Sequence, residues 1–537
     1  MERSTTNNIL MVFPRFSSNS FWNYQETCAA AGKRYSAAPL GMITVAALLP
    51  EEWSVRLVDR NIEELSRGDM DWADLIMIGG MLPQRADTKR VITLAQAHHK
   101  TVVLGGPDVT CSPSDFEEVE FRLLGEVEDI MDDFLTAWRR GDRRGVFQAH
   151  SFPDLRNSPV PRFDLLKLQH YMHVGVQYSR GCPFSCEFCN IIELNGRTPR
   201  LKTNAQMLSE LEALQALGYR GHVDIVDDNF IGNPKKVRPF LEALGDWSER
   251  NGHPFAFSAE ASLNLADNDE ILGLMRRCGF FGIFTGIETP DPEALLSVNK
   301  KQNVGRDIAS NIFKIYQAGI FVNAGFIIGF DAEKESVAQE MIRCIEELAI
   351  PVCMVGLLYA LPDTQLSRRL QQEGRLHPDS GRVGNDDSAD QCTSGLNFDT
   401  LRPRLEILQD YRTVLNSIYH PVNFFGRVRR NARALQPVRD RLANQVPRII
   451  GDIRSFIRIS WRLGVRDREV RGPYWKALAD CIFHNPKALR TVVSFAALYL
   501  HMRPFAGFMA GRLQSQIEGL SFSEPSLHVP LARGMEA

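Results

Sequence analysis

The chain reads as an α/β protein built from two parallel β/α parts and a helical extension, and three observations predict this. Short apolar strands alternate with helical stretches from residue 7 to about 140, and several of them end in glycines. A second series of six strand-and-helix units runs from about 170 to 375, and about 400 to 520 reads as mostly helical. At 537 residues the chain is too long for one compact core, and a prior of about 150 residues per domain suggests three or four units.

In the first part, residues 9–13 form a short apolar strand, and 54–59 follow a helix-like stretch at 40–49. Segments 73–78 and 101–104 run into Gly79-Gly80 and Gly105-Gly106-Pro107, and a fifth strand, 120–124, ends in Gly125-Glu126. Such alternation argues for a parallel doubly wound sheet, whose ligands sit at the carboxyl ends of the strands. Glycines at those ends let a large flat or anionic ligand approach the backbone, although they can equally serve only to turn the chain. Residues 141–169, polar at first and carrying Pro153, Pro159 and Pro161, read as a linker.

Composition sets bounds. With 44% hydrophobic and 24% charged residues and a net charge of −3, the chain is globular and gives no reason to expect a nucleic-acid partner. Its ten cysteines are dispersed and the sequence opens without a secretory pattern, so a reducing cytoplasm is expected. The uncharged run 491–502, between Arg490 and Arg503, is too short for a bilayer span of about 20 residues. No integral membrane segment is expected.

Residues 178–189, Tyr-Ser-Arg-Gly-Cys-Pro-Phe-Ser-Cys-Glu-Phe-Cys, carry Cys182, Cys186 and Cys189 in C-x-x-x-C-x-x-C spacing. Three thiolates within eight residues can bind three irons of a [4Fe-4S] cluster and leave the fourth open to a small ligand. A structural zinc site takes four ligands, usually as two cysteine pairs, and no second pair follows. With Phe188 before the third cysteine, the stretch has the C-x-x-x-C-x-aromatic-C signature and resembles the radical S-adenosylmethionine (SAM) enzymes. That resemblance implies that SAM chelates the open iron and is cleaved, by an electron from the cluster, to a 5′-deoxyadenosyl radical.

The part ahead of this core resembles the cobalamin-binding subclass of the family, in which a flavodoxin-like (Rossmann-type) domain holds cobalamin over a partial (β/α)6 barrel. The resemblance makes residues 1–140 the cobalamin-binding domain, with Gly79, Gly80, Met81, Gln84, Gly105, Gly106, Gly125 and Glu126 as its site. An Asp-x-His-x-x-Gly motif for an axial histidine is absent, so Met81, Leu82 and Gln84 are the candidates to lie against the lower face. The order of cobalamin-like part, barrel with its 226–233 segment and basic helical extension is similar to the bacterial group containing the hopanoid 2-methylases, over nearly the whole chain.

In the barrel, residues 170–375, chemistry belongs at the carboxyl ends of the strands. Asp227, Asp228 and Asn229 follow the second strand, where the family places an acceptor for the SAM ammonium; a cation in a low-dielectric pocket needs one. Glu260 and Glu288 end the third and fourth strands and can accept from ribose hydroxyls or substrate, or cap the next helix. By resemblance, Phe188, Gly286 and Ile328, the last in the apolar fifth strand at 325–329, complete the SAM site. The segment 361–366, Leu-Pro-Asp-Thr-Gln-Leu, departs from the commoner Leu-Pro-Gly-Thr-Pro-Leu, which leaves that loop's shape open.

Residues 376–399 read as a long polar loop and 400–537 as a helical domain. Residues 427–476 hold roughly ten more basic than acidic side chains, interleaved with Phe456, Ile457, Ile459 and Trp461. Such a face can meet anionic lipid or water. The resemblance implies a cobalamin-dependent methyltransferase acting on an unactivated carbon of a hydrophobic small molecule, expected to be a hopanoid-like polycyclic isoprenoid lipid. Its partners would be an electron donor such as a flavodoxin or ferredoxin and the inner face of the membrane. The competing expectations are a radical SAM cyclase or rearrangement enzyme, and a cobalamin- or cluster-binding regulatory module without turnover. No residue is singled out as catalytic.

Overall fold

Strand β1 (Asn8–Phe13) is buried at its four central residues on both sides, the pattern of a strand covered on both faces. Strand β2 (Tyr35–Ala37) leaves for a second sheet, and β3 (Ser54–Asp59), β4 (Leu75–Gly79), β5 (Thr101–Gly105), β6 (Phe121–Leu124) and β7 (Gly145–Gln148) assemble around β1. They form an all-parallel sheet in the order β3-β1-β4-β5-β6-β7. This is the doubly wound flavodoxin-like order with one strand added at the edge, and its direction of winding reverses between β1 and β4. One apolar cluster, including Ile9, Met11, Phe121 and Trp138, covers one face. Another, including Leu10, Val12, Ile76 and Phe116, covers the other. The computed structural model describes residues 6–378, 395–437 and 446–523.

The second sheet is the half-barrel: β8 (Tyr171–Val176), β11 (Gly221–Ile225), β12 (Phe255–Glu260), β13 (Phe280–Glu288), β14 (Phe321–Ile328) and β15 (Cys353–Leu357), all parallel and consecutive. Between β8 and β11 a short antiparallel pair, β9 (Ser179–Arg180) with β10 (Arg200–Leu201), closes the loop that carries the cysteines. β2 adds a seventh strand, Tyr35 pairing with Tyr171 and Ala37 with His173. Chain from the first part is therefore built into the barrel sheet.

Two features differ from the sequence reading. β7 lies within the stretch read as a linker, 141–169, and extends the first sheet past residue 140; its alternating exposure suits an edge strand and is too short to stand out in a polar sequence. The 491–502 run belongs to a much longer helix, Leu489–Ser523. By length and composition that helix could cross a membrane, yet more than half of its most apolar window is buried inside the protein. Val492, Phe495, Tyr499, Met502 and Met509 pack into the main core, and Thr27 Oγ1 donates to the Ala497 carbonyl at 2.9 Å. It is a core helix. Of the 376–399 loop, residues 379–394 lie outside the described residues.

The C-terminal part is helical: Arg404–Ile418, Pro421–Ala434, Val446–Ile459, a π-helical turn at Ser460–Arg466, Arg471–His484 and Leu489–Ser523. Its apolar residues and those of the barrel form one continuous core.

Candidate functional site

The cysteine loop is fastened by backbone contacts that only certain residues permit. Gly181 has φ +97°, and a Cβ there would stand 2.8–3.0 Å from the carbonyl oxygens of Asn195, Gly196 and Thr198. Cys182 N–H donates to the Gly196 carbonyl at 3.1 Å. From the other side Leu366 N–H donates to the Glu187 carbonyl at 3.0 Å and Arg369 pairs with the Glu187 carboxylate at 2.6 Å. The 361–366 segment, whose shape the sequence leaves open, thus clamps the loop.

Cys182, Cys186 and Cys189 are free thiols. Burial pushes Cys189 up to about 12 and raises Cys182 as well, so these are protonated until a metal displaces the protons. Among the described residues no three His, Cys, Asp or Glu side chains converge on a single-ion site. A cube fits this better than a zinc ion does, because each thiolate binds a different iron. Gln302 Nε2 lies 3.5 Å from Cys186 Sγ. Lys300 is held by Glu288 at 2.7 Å; although burial opposes its charge, Glu288 and Cys186 keep its ammonium protonated. A fixed cation beside three sulfurs suits a group carrying net negative charge.

The residues expected to bind SAM divide into two sets. Asp227 is buried, and both its oxygens are taken: Oδ1 accepts from Tyr178 N–H at 2.7 Å, and Oδ2 from Ser179 N–H at 2.8 Å and Ser179 Oγ at 2.6 Å. Asp228 Oδ2 accepts from Gly181 N–H at 2.9 Å and Asn195 Nδ2 at 3.1 Å. These carboxylates anchor the cysteine loop to the end of β11. Asn229 Oδ1 accepts from Ser262, while its buried Nδ2 has no partner among the described residues. Glu288, at φ +69°, does not cap a helix; it holds Lys300. Gly286 makes room for it, since a Cβ at Gly286 would stand far inside contact distance of the Glu288 carboxylate. Phe188 packs on Phe330, ring centroids 6.1 Å apart, and Ile328 is fully buried.

Glu260 differs from the rest. It lines a cavity, and its side chain is exposed to solvent there although it sits deep among protein atoms. Depth inside the protein pushes its carboxyl up to about 8, with the charges of Asp224, Asp228 and Asp227 adding to the effect. It has no hydrogen-bonding partner in its side chain among the described residues, which makes it the free acceptor on this rim.

The glycine-ended strands open on that same cavity, of about 2840 Å³. Gly79, Gly80, Gly105, Gly106, Gly125, Met81 and Leu82 all line it. At Gly106, φ +100°, a Cβ would meet the Gly80 carbonyl at 2.9 Å, and at Gly79 it would meet Met42 Sδ at 2.6 Å. Gly106 cannot carry a side chain without displacing the Gly80 backbone, which keeps this part of the floor open to a broad ligand. No histidine of residues 6–150 lines the cavity. Two expected members do other work. Gln84 is fully buried and off the cavity, closing a turn through Met81 N–H at 3.0 Å and the Pro14 carbonyl. Glu126 lines the cavity, but its carboxylate pairs with Arg180 at 2.6 Å and with Arg200.

Arg180 also pairs with Glu128 at 2.8 Å. This largely buried cluster ties the end of β6 to β9 and β10, so the two sheets face each other with the cysteine loop between them. Sequence reading did not find Arg180, Arg200 or Lys300, since nothing local marks a residue whose partner is distant in the chain. The barrel-lining His173, His222, Asp224 and Ser258 were also passed over. Their signal was present as polar residues on alternate positions of otherwise apolar strands.

The radical SAM superfamily model matches residues 176–345, and a domain of unknown function (DUF4070) matches 364–515. An uncharacterised methyltransferase of Synechocystis sp. is 38% identical over 511 residues, covering 95% of this chain and 94% of that protein. The hopanoid C-2 methylase of Rhodopseudomonas palustris is 34% identical over 484 residues, covering 88% of this chain and 89% of that one. Among solved structures, the cobalamin-dependent S-adenosylmethionine radical enzyme OxsB with aqua-cobalamin bound superposes with a TM-score of 0.60 at 14% identity, covering 96% of this chain and 81% of that one. That last likeness speaks to the fold.

Proposed function

Since the chain belongs to the cobalamin-binding radical SAM family that includes the hopanoid C-2 methylase, we propose that it methylates an unactivated carbon of an apolar small molecule, a hopanoid-like polycyclic isoprenoid lipid. One observation carries the reading. A single cavity is bounded by the glycine floor of the first sheet, by Arg180, Asn190 and Ile191 flanking the cysteine loop, and by the barrel interior. Cofactors at the three stations would face one another there.

Cys182, Cys186 and Cys189 hold the [4Fe-4S] cluster, Glu260 receives the ammonium of SAM, and Gly79, Gly80, Gly105, Gly106 and Met81 receive the cobalamin. When bound, these groups supply one-electron hydrogen abstraction and a methyl donor. The protein's share is placement. Asp227 and Asp228 fix the loop, and Lys300 balances charge at the thiolates.

A lipid substrate needs a route from the bilayer, and the C-terminal helices support one. Ile449, Ile450, Ile453, Phe456 and Ile457 are exposed along one helix, followed by Trp461, Val465, Trp475, Ile482 and Phe483; Arg454, Arg466, Arg468, Arg471 and Lys476 are exposed among them. An apolar stripe with cationic neighbours suits peripheral contact with anionic lipid on the inner face of the membrane. Ile453 and Phe456 also line the cavity.

The deciding experiment compares lipid extracts, by mass, from cells with and without the protein: a lipid gaining one methyl group is expected. A product changed by ring closure or oxygen gain would favour a cyclase instead. Anaerobic reconstitution should give about four irons per chain, and replacing all three cysteines by Ala should remove both iron and SAM cleavage. Cleavage retained in that variant would overturn the cluster assignment.

A further inference from the structure

A closed eight-stranded barrel is filled with layers of branched side chains; this open half-barrel holds a chamber instead. The cavity runs from the rim down past Asp224 and Ser258 to Gly221, Phe255 and Phe321 at the strand starts. We infer that Asp224, Ser258, His222 and His173, low in this chamber, form a subsite for a hydroxyl group on the substrate. The inference rests on the lipid reading above and adds a polar group to it.

The two walls of the chamber are unlike. On the β13 and β14 side stand Phe281, Phe284 and Phe321, with Phe321 packed on Phe495 at 5.1 Å between centroids. A Cβ at Gly282 would lie 2.8 Å from the Phe321 ring and one at Gly325 3.2 Å from Phe284, so glycine seats these rings. The opposite wall, on β8, β11 and β12, is polar. Ser258 Oγ donates to Asp224 Oδ1, and His222 Nε2 lies 2.6 Å from Ser258 Oγ. A hydroxyl has one hydrogen, which Ser258 gives to Asp224; His222 Nε2 must then be the donor, and its Nδ1 is left as an acceptor. The His173 and His222 rings are 5.0 Å apart, and burial lowers the pKa of both, so both are neutral rings able to donate and accept.

This wall has capacity to spare. Neither the His173 ring nor the second Asp224 oxygen has a hydrogen-bond partner among the described residues, and across the chamber, on β14, Asn323 Oδ1 is buried without one. Buried polar atoms are almost always paired. A pure hydrocarbon in the chamber would strand these groups, whereas a hydroxyl both donates and accepts. His222 lies three residues before the end of β11, about 10 Å below the rim at the usual strand rise. The polar end of the substrate therefore points down the barrel, where Phe281 and Phe321 stand beside it at the same depth, and its apolar body passes Phe284 nearer the rim.

The test uses the anaerobically reconstituted holoprotein and two radiolabelled probes presented from cyclodextrin, 5α-cholestan-3β-ol and 5α-cholestane, which share a polycycle and differ by the hydroxyl. Retention of the alcohol should exceed that of the hydrocarbon by about tenfold or more, the discrimination of a site built to bond a hydroxyl. Ser258→Ala and His222→Phe, checked for native circular dichroism, should bring the ratio close to one with hydrocarbon uptake unchanged, and Ser258→Thr should restore it. Equal retention of the two probes by the native protein overturns the hydroxyl subsite and leaves the polycyclic reading standing. Retention of neither overturns that reading and the subsite with it. An unchanged ratio in the folded variants overturns the assignment to these residues.

Discussion

At the scale of single residues, the site depends on positions where one atom more is too many. Gly181→Ala would combine a positive φ with three carbonyl oxygens 2.8–3.0 Å from the new Cβ. Backbone strain alone costs about 1–3 kcal/mol; lower iron content after reconstitution and a lower denaturation midpoint are expected. Gly106→Val should weaken cobalamin retention, because its side chain would push on the Gly80 carbonyl; equilibrium dialysis checks this. Glu260 predicts a pH effect in the apoprotein. Its folded value, about 8, lies above the ordinary 4.5, so the native state keeps a proton that the unfolded chain has released between those values. The stability linked to it is fully present below pH 4.5 and is lost as pH rises through about 8. Water reaching the exposed carboxyl damps the effect, so urea midpoints should fall modestly from pH 5 to pH 8, and fall less in Glu260→Gln. The cluster cysteines and strand-end glycines were legible in the sequence because their spacing is local. The work of Asp227 was not: a carboxylate after a strand looks the same whether it awaits a ligand or, as here, accepts three hydrogen bonds from Tyr178 and Ser179.

At the scale of elements, β6, β9 and β10 are joined by the Glu126, Glu128, Arg180 and Arg200 ion pairs. Glu126→Ala would leave two largely buried guanidiniums short of a partner, and breaking such a buried pair costs about 3–5 kcal/mol. Faster hydrogen exchange in β9 and β10, together with a lower midpoint, is the expected outcome. The helix Val446–Ile459 makes a separate prediction. Arg458 Nη1 reaches the Ala30 carbonyl at 3.4 Å and Arg462 pairs with Glu26 at 2.5 Å, so part of its basic charge serves internal packing rather than a partner. Attachment to anionic vesicles should thus depend on the exposed apolar stripe as well as on Arg454. Ile450→Glu with Ile457→Glu should abolish co-sedimentation at low salt while leaving the midpoint near native; unchanged sedimentation would make the stripe a solvated face.

At the scale of the whole molecule, the two α/β parts do not separate. Tyr35–Ala37 belongs in sequence to the first part and in space to the second sheet, and Phe16, Phe21, Ala30 and Tyr35 enter the barrel's core. A fragment ending near residue 150 would expose that strand and those rings, and unpaired edges with bare apolar surface aggregate. It should be insoluble or molten by circular dichroism, with cobalamin binding confined to the full chain. The sequence by itself determined the α/β class, the cysteine loop and the glycine-ended strands, because periodicity, spacing and strand-end composition are properties of neighbours along the chain. Only the tertiary structure decided that β2 joins the barrel, that the 489–523 helix packs in the core, that Asp227 and Glu126 are engaged by neighbouring groups, and that a cavity enters the half-barrel past the polar side chains of β8, β11 and β12. Each of those rests on contacts between residues distant in sequence, and the physics that selects such contacts acts after the chain has folded back on itself.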